Sequence, residues 1–80
     1  MISLLCVDDD PSLLELVKIF LERMGQFNVT TATGANGAFE ALKTGHFDAI
    51  ISDYQMPGMD GITFLKTVRD RCGDIPFILF

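Results

Sequence analysis

The chain has 80 residues, 49% of them apolar and 21% charged, with a net charge of −5. That balance is globular and not disordered, and a chain this short hides only about 60% of its unfolded surface. No apolar run approaches the ~20 residues of a membrane helix, no basic leader marks a secretion signal, and the acidity argues against a nucleic-acid-binding face.

Ile2 to Val7 is a nearly continuous apolar run, as expected of a parallel strand covered on both faces. Asp10-Pro11 then marks a helix start, Asp as cap and Pro at the first helical position. Leu13, Leu16, Val17, Phe20, Leu21 and Met24 recur at steps of three and four and predict one apolar stripe, with Gly25 as its stop. "FNVTTA" from Phe27 to Ala32 is β-branched and alternating, a second strand. Ala35, Ala38, Phe39 and Leu42 give a weaker helical stripe ending at Gly45. "FDAIIS", Phe47 to Ser52, reads as a third, buried strand ending at Asp53. Asp60 can cap a helix carrying Ile62, Phe64, Leu65 and Val68, closed by Gly73, and Pro76 opens "FILF" as a fourth strand.

Alternating strands and helices call for right-handed crossovers and an α/β fold with a parallel sheet and helices on both faces. Residues 1–80 read as a single domain, with no repeat and no linker. Two strands end on acids, at Asp8 and Asp9 and at Asp53. Ligands of open α/β sheets bind beyond the carboxyl ends of the strands, where the strand order reverses. If the first and third strands are neighbours there, the three carboxylates converge and repel, or one pKa rises. A hard divalent cation relieves that conflict. Mg²⁺ takes oxygen ligands and is typically held by one or two carboxylates beside a phosphate, whereas an oxygen-only site argues against zinc and the spacing is not that of an EF-hand. Asp60 and Asp10 are read as helix caps.

The stretches "LLCVDDDPSLLELVKIFL" and "FDAIISDYQMPGMDGITFLKTVR" resemble the response-regulator receiver domain of two-component signalling. The resemblance implies a flavodoxin-like sheet in the order 2-1-3-4. It also implies that Asp53 is the phosphoacceptor, that Asp8 and Asp9 organise Mg²⁺, and that Gln55 adds its backbone carbonyl. The implied partner is a histidine kinase or phosphotransfer protein, the implied compartment the cytoplasm, and the implied role regulatory rather than enzymatic. Met56, Pro57, Gly58 and Met59 read as a shaped turn.

The family's pattern continues with a Ser or Thr after the fourth strand and a Lys after the fifth. The sequence stops at Phe80 before both, so a last helix, strand and helix of roughly 40 residues is expected to be missing. Phosphorylation of this form is then expected to be slow or absent. The uncovered sheet face and the apolar fourth strand are expected to favour self-association, since covering about 400 Å² is worth roughly 10 kcal/mol.

Two other functions compete with the phosphoacceptor reading. "VDDDPS" has the one-residue spacing of Asp8 and Asp10 found in haloacid-dehalogenase-type phosphatases, with Asp8 as nucleophile, but Pro11-Ser12 depart from that loop. The other is a pure binding module that assembles without phosphotransfer. Cys6 reads as buried, both cysteines as reduced thiols, and His46 as a solvated turn residue. Tyr54 can shape access to the site or simply pack. The six basic residues, scattered along the helices, read as solvated.

Overall fold

A computed structural model describes residues 1–54 and 59–80. Its elements follow the expected alternation: β1 (Ile2–Val7), α1 (Pro11–Arg23), β2 (Phe27–Ala32), α2 (Ala35–Thr44), β3 (Ala49–Ser52), α3 (Gly61–Cys72) and β4 (Phe77–Leu79). The strands form one sheet in the order β2-β1-β3-β4, and each neighbouring pair is parallel. This is the flavodoxin-like order expected from the sequence, and it makes β1 and β3 neighbours at the point where the order reverses.

Side-chain alternation divides the strands between two cores. On one face Leu5, Val7 and Ile50 pack with Ala38 of α2 and with Phe64 and Val68 of α3. Phe64 is the centre of this layer, with its ring edge-on to Phe39 at 5.2 Å and to Phe77 at 5.7 Å. The opposite face buries Leu4, Cys6 and Val29 under Leu14 of α1.

The helix ends follow local chemistry. Asp10 caps α1 by accepting from the amides of Ser12 and Leu13, at 3.0 and 3.3 Å, and Pro11 occupies the first turn. Asp60 caps α3 through the Thr63 amide at 2.7 Å. That bond holds the Asp60 carboxyl below its ordinary value. Gly73 ends α3 at φ 76°, a backbone that glycine adopts without strain.

Three expectations need correction. The stripe of α1 is rotated: Leu14, Val17 and Leu21 face the sheet, while Leu13, Leu16, Phe20 and Met24 are exposed, Leu16 by 66% and Phe20 by 64%. Apolar residues occupy more of this helix than one face can bury, so periodicity admits two registers and docking on the Leu4, Cys6 and Val29 surface selects one. β3 begins at Ala49, not Phe47. Asp48 closes its start, accepting from the Ser3 amide at 2.8 Å and donating its own amide to the Ser3 carbonyl at 2.7 Å, while Phe47 packs on the α2/α3 core.

The basic residues are also less idle than expected. Lys18 donates to the Val29 carbonyl at 2.6 Å, and its neighbour Glu22 accepts the Val29 amide at 3.0 Å. Arg69 donates to the carbonyls of Gly73 and Ile75, and Arg71 stands 4.9 Å over the Phe39 ring. Cys6 is buried and Cys72 exposed, both as free thiols. His46 is an exposed turn residue with Nε2 3.8 Å from Asp48.

Candidate metal centre at the carboxyl edge of the sheet

The register sets the site. Val7 lies opposite Ser52, so the residues that follow, Asp8 and Asp53, leave the sheet side by side. The Asp53 amide donates to the Val7 carbonyl at 2.9 Å and the Asp8 amide to the Ala32 carbonyl at 3.1 Å, which extends the ladders one step into the site. Asp8, Asp9 and Asp53 each bring a carboxylate oxygen into a group lying within 4.8 Å of one another. Asp8 is 4% exposed, Asp9 is exposed and Asp53 lies between. The acids that the sequence placed together are therefore together. Gln55, with Met56, Pro57 and Gly58 of the expected turn, lies outside the described residues.

The electrostatics follow from that crowding. Burial raises the Asp8 pKa most; the Asp9 carboxyl and the charges of Asp53 and Asp9 raise it further, against the lowering effect of the Asp10 amide. That amide donates to Asp8 Oδ1 at 3.0 Å and fixes the carboxylate in place. An all-oxygen donor set of three clustered carboxylates, without sulfur or imidazole, fits a hard divalent cation such as Mg²⁺.

Two residues of the site were not singled out by sequence reasoning. Ser52 is fully buried, and its hydroxyl donates to the Asp53 carbonyl at 3.1 Å. Its signal was a polar residue closing an otherwise apolar strand. Gly61 donates its amide to the Tyr54 carbonyl at 2.7 Å, joining the start of α3 to the end of β3. β4 completes the frame: the Tyr54 amide donates to the Phe80 carbonyl at 2.6 Å and the Phe80 amide to the Ser52 carbonyl at 3.0 Å. The Tyr54 side chain is exposed.

Comparison with known proteins agrees with this fold. The family profile described as "Response regulator receiver domain" matches residues 4–80. Response regulator Rre1 of Synechocystis is 46% identical over 70 residues, which cover 86% of this chain and 30% of that protein. The chain thus spans about a third of the length of this curated relative. The solved structure of chemotaxis response regulator CheY4 of Vibrio cholerae superposes with a TM-score of 0.91 at 34% identity, covering 99% of this chain and 67% of that one. Response regulator TrrA of Thermotoga maritima, solved in complex with Mg²⁺-BeF, gives 0.89 at 32% identity over 99% of this chain and 68% of its own. Fold and sequence similarity agree, and the chain belongs to the response regulator receiver domain family.

Proposed function

We propose that residues 1–80 act as one phosphoacceptor unit of a two-component system, with Asp53 as the acceptor. An Asp53 carboxylate oxygen attacks the phosphorus of a phosphohistidine on a histidine kinase or phosphotransfer protein. An O–P bond forms, the P–N bond breaks, and the leaving imidazole keeps the P–N electron pair and takes a proton. Asp8 and Asp9, with Asp53 and the Gln55 backbone carbonyl, are the residues that would hold Mg²⁺. When bound, that ion neutralises charge on the transferring group. The domain is regulatory: the acyl phosphate carries roughly two negative charges where the Asp53 carboxylate carried one, and it biases the adjoining loops. Reduced thiols at Cys6 and Cys72 suit the cytoplasm.

The observation that carries this reading is the meeting of three carboxylates within 4.8 Å, with Asp53 more open than Asp8. That difference in access also weighs against the phosphatase reading. A nucleophile needs an approach for phosphorus, and Asp8 is enclosed with its Oδ1 engaged by the Asp10 amide. The test is treatment with acetyl phosphate and Mg²⁺ followed by peptide mass spectrometry. A labile phosphoryl adduct on Asp53, accumulating slowly, is expected; an adduct on Asp8 instead, or none at all, would overturn the assignment.

A second role rests on a separate observation. Leu16 and Phe20 of α1 are exposed, and so are Ile78 and Phe80 at β4, where Phe80 lies 56% open. Exposed apolar surface of this kind suits self-association through the uncovered sheet face or the fourth strand.

A further inference from the structure

The geometry points to Gly61 as a positioning residue for Asp53: the close approach that it permits sets where the Asp53 carboxylate stands relative to Asp8 and Asp9. This rests on the reading of Asp53 as metal ligand and phosphoacceptor.

Gly61 opens α3 at a junction of three elements. A Cβ placed on it would lie 2.6 Å from Leu79 Cδ1, 2.7 Å from the Asp53 carbonyl oxygen and 2.9 Å from Tyr54 Cα. Ordinary contact between such atoms begins near 3.5 Å, so something must move. The Leu79 methyl can swing to another rotamer. The two backbone groups have no such freedom. The Asp53 amide is tied to Val7, its carbonyl accepts the Ser52 hydroxyl, and the Tyr54 amide is tied to Phe80.

The helix side is equally constrained. Phe64 and Val68, one and two turns into α3, are fully buried in the core, and the Asp60 cap holds the first turn. Displacement therefore falls on the joint itself, at the residue whose side chain completes the carboxylate cluster. Space decides this, since Gly61 has no positive φ. A metal such as Mg²⁺ tolerates little error in ligand position, and groups that merely orient ligands are typically worth 10- to 100-fold in affinity.

The experiment compares Gly61→Ala with Gly37→Ala, a control whose Cβ meets only Ala32 at an ordinary 3.5 Å. Mg²⁺ binding to the 80-residue chain is measured by calorimetry, beside the melting temperature and the amide spectrum without metal. Gly61→Ala should raise the Mg²⁺ dissociation constant by about tenfold or more and move the Asp53 and Tyr54 amide resonances in the metal-free state. Gly37→Ala should leave the dissociation constant unchanged. The pair Gly61→Ala with Leu79→Ala removes the side-chain part of the clash, so it should regain melting temperature while binding stays weak.

Unchanged affinity in Gly61→Ala, or joint recovery of stability and affinity in the double variant, would overturn the inference. Failure of both Gly61 variants to fold would also overturn it, because the contact would then govern the fold and not the reach of Asp53. An unaltered chain that binds no Mg²⁺ would instead overturn the metal reading, and unmoved Asp53 and Tyr54 amides would still decide against the role of Gly61.

Discussion

Replacing Asp8 with Asn tests the site at its most crowded point. The change keeps Oδ1 as acceptor for the Asp10 amide and removes a charge that burial and two neighbouring carboxylates disfavour. At the 4.8 Å limit of the cluster, each pair of unit charges repels by about 0.9 kcal/mol in bulk water and about 3.5 kcal/mol at an effective permittivity near 20. Asp9 is open to solvent, so the lower end weighs more. We expect Asp8→Asn to stabilise the metal-free chain by about 1–3 kcal/mol at pH 7 and low salt, or roughly 4–8 °C in melting temperature per kcal/mol.

Thermal unfolding followed by circular dichroism in EDTA, and again with excess Mg²⁺, reads this directly. Mg²⁺ should raise the melting temperature of the unaltered chain and do little for Asp8→Asn, which narrows or reverses their order. The pH dependence has a definite sign. A raised pKa means that the folded state holds the Asp8 proton more tightly than the unfolded one. Metal-free stability therefore falls as pH rises from the ordinary carboxylate range through the raised value, and the advantage of Asp8→Asn grows across that window. A metal-free variant no more stable than the parent at pH 7 would refute the repulsion on which the metal assignment depends.

Phe64→Ala should cost about 3–5 kcal/mol in urea unfolding, because it empties the centre of the layer shared by Phe39 and Phe77. Asp60→Ala should lower the melting temperature at neutral pH by removing the cap on α3. Since that carboxyl titrates below its ordinary value, its contribution is present above the ordinary range and lost as pH falls through the depressed value. The difference between parent and variant should thus shrink in acid. Sedimentation at tens of micromolar should find dimers or larger species, with Ile78→Lys and Phe20→Lys together shifting the balance to monomer; a parent that sediments as monomer would refute self-association.

Much of this was legible because it was local. Asp10-Pro11 and Asp60 announce helix starts through their own side chains, and Asp8 and Asp53 announce the sheet edge by ending apolar runs. The strand order joins the two acid stretches; alternation of elements pointed only to a parallel sheet, and the order itself was implied by the resemblance. The rotation of α1 was not legible, because Leu13, Leu16 and Phe20 satisfy the helical period as well as Leu14, Val17 and Leu21 do. Its resolution lies in the surface of Leu4, Cys6 and Val29 beneath. Gly61 was hidden for a related reason: its neighbours Leu79 and Asp53 come from other elements. Phe47 and Asp48 read as strand by composition, yet the Asp48 carboxylate takes the Ser3 amide and fixes a different start for β3.

The attachment of Lys18 and Glu22 to Val29 makes the two margins of the sheet unequal. β2 is a border strand, and the amide and carbonyl of its residue 29 are already occupied by charged groups from α1. An incoming chain would have to displace both bonds to align there. At β4 the amide of Phe80 and the carbonyl of Pro76 turn inward to β3, so alternation aims those of Phe77 and Leu79 the other way. A further strand would therefore find outward groups to pair with at Phe77 and Leu79, and would find those of Val29 already taken.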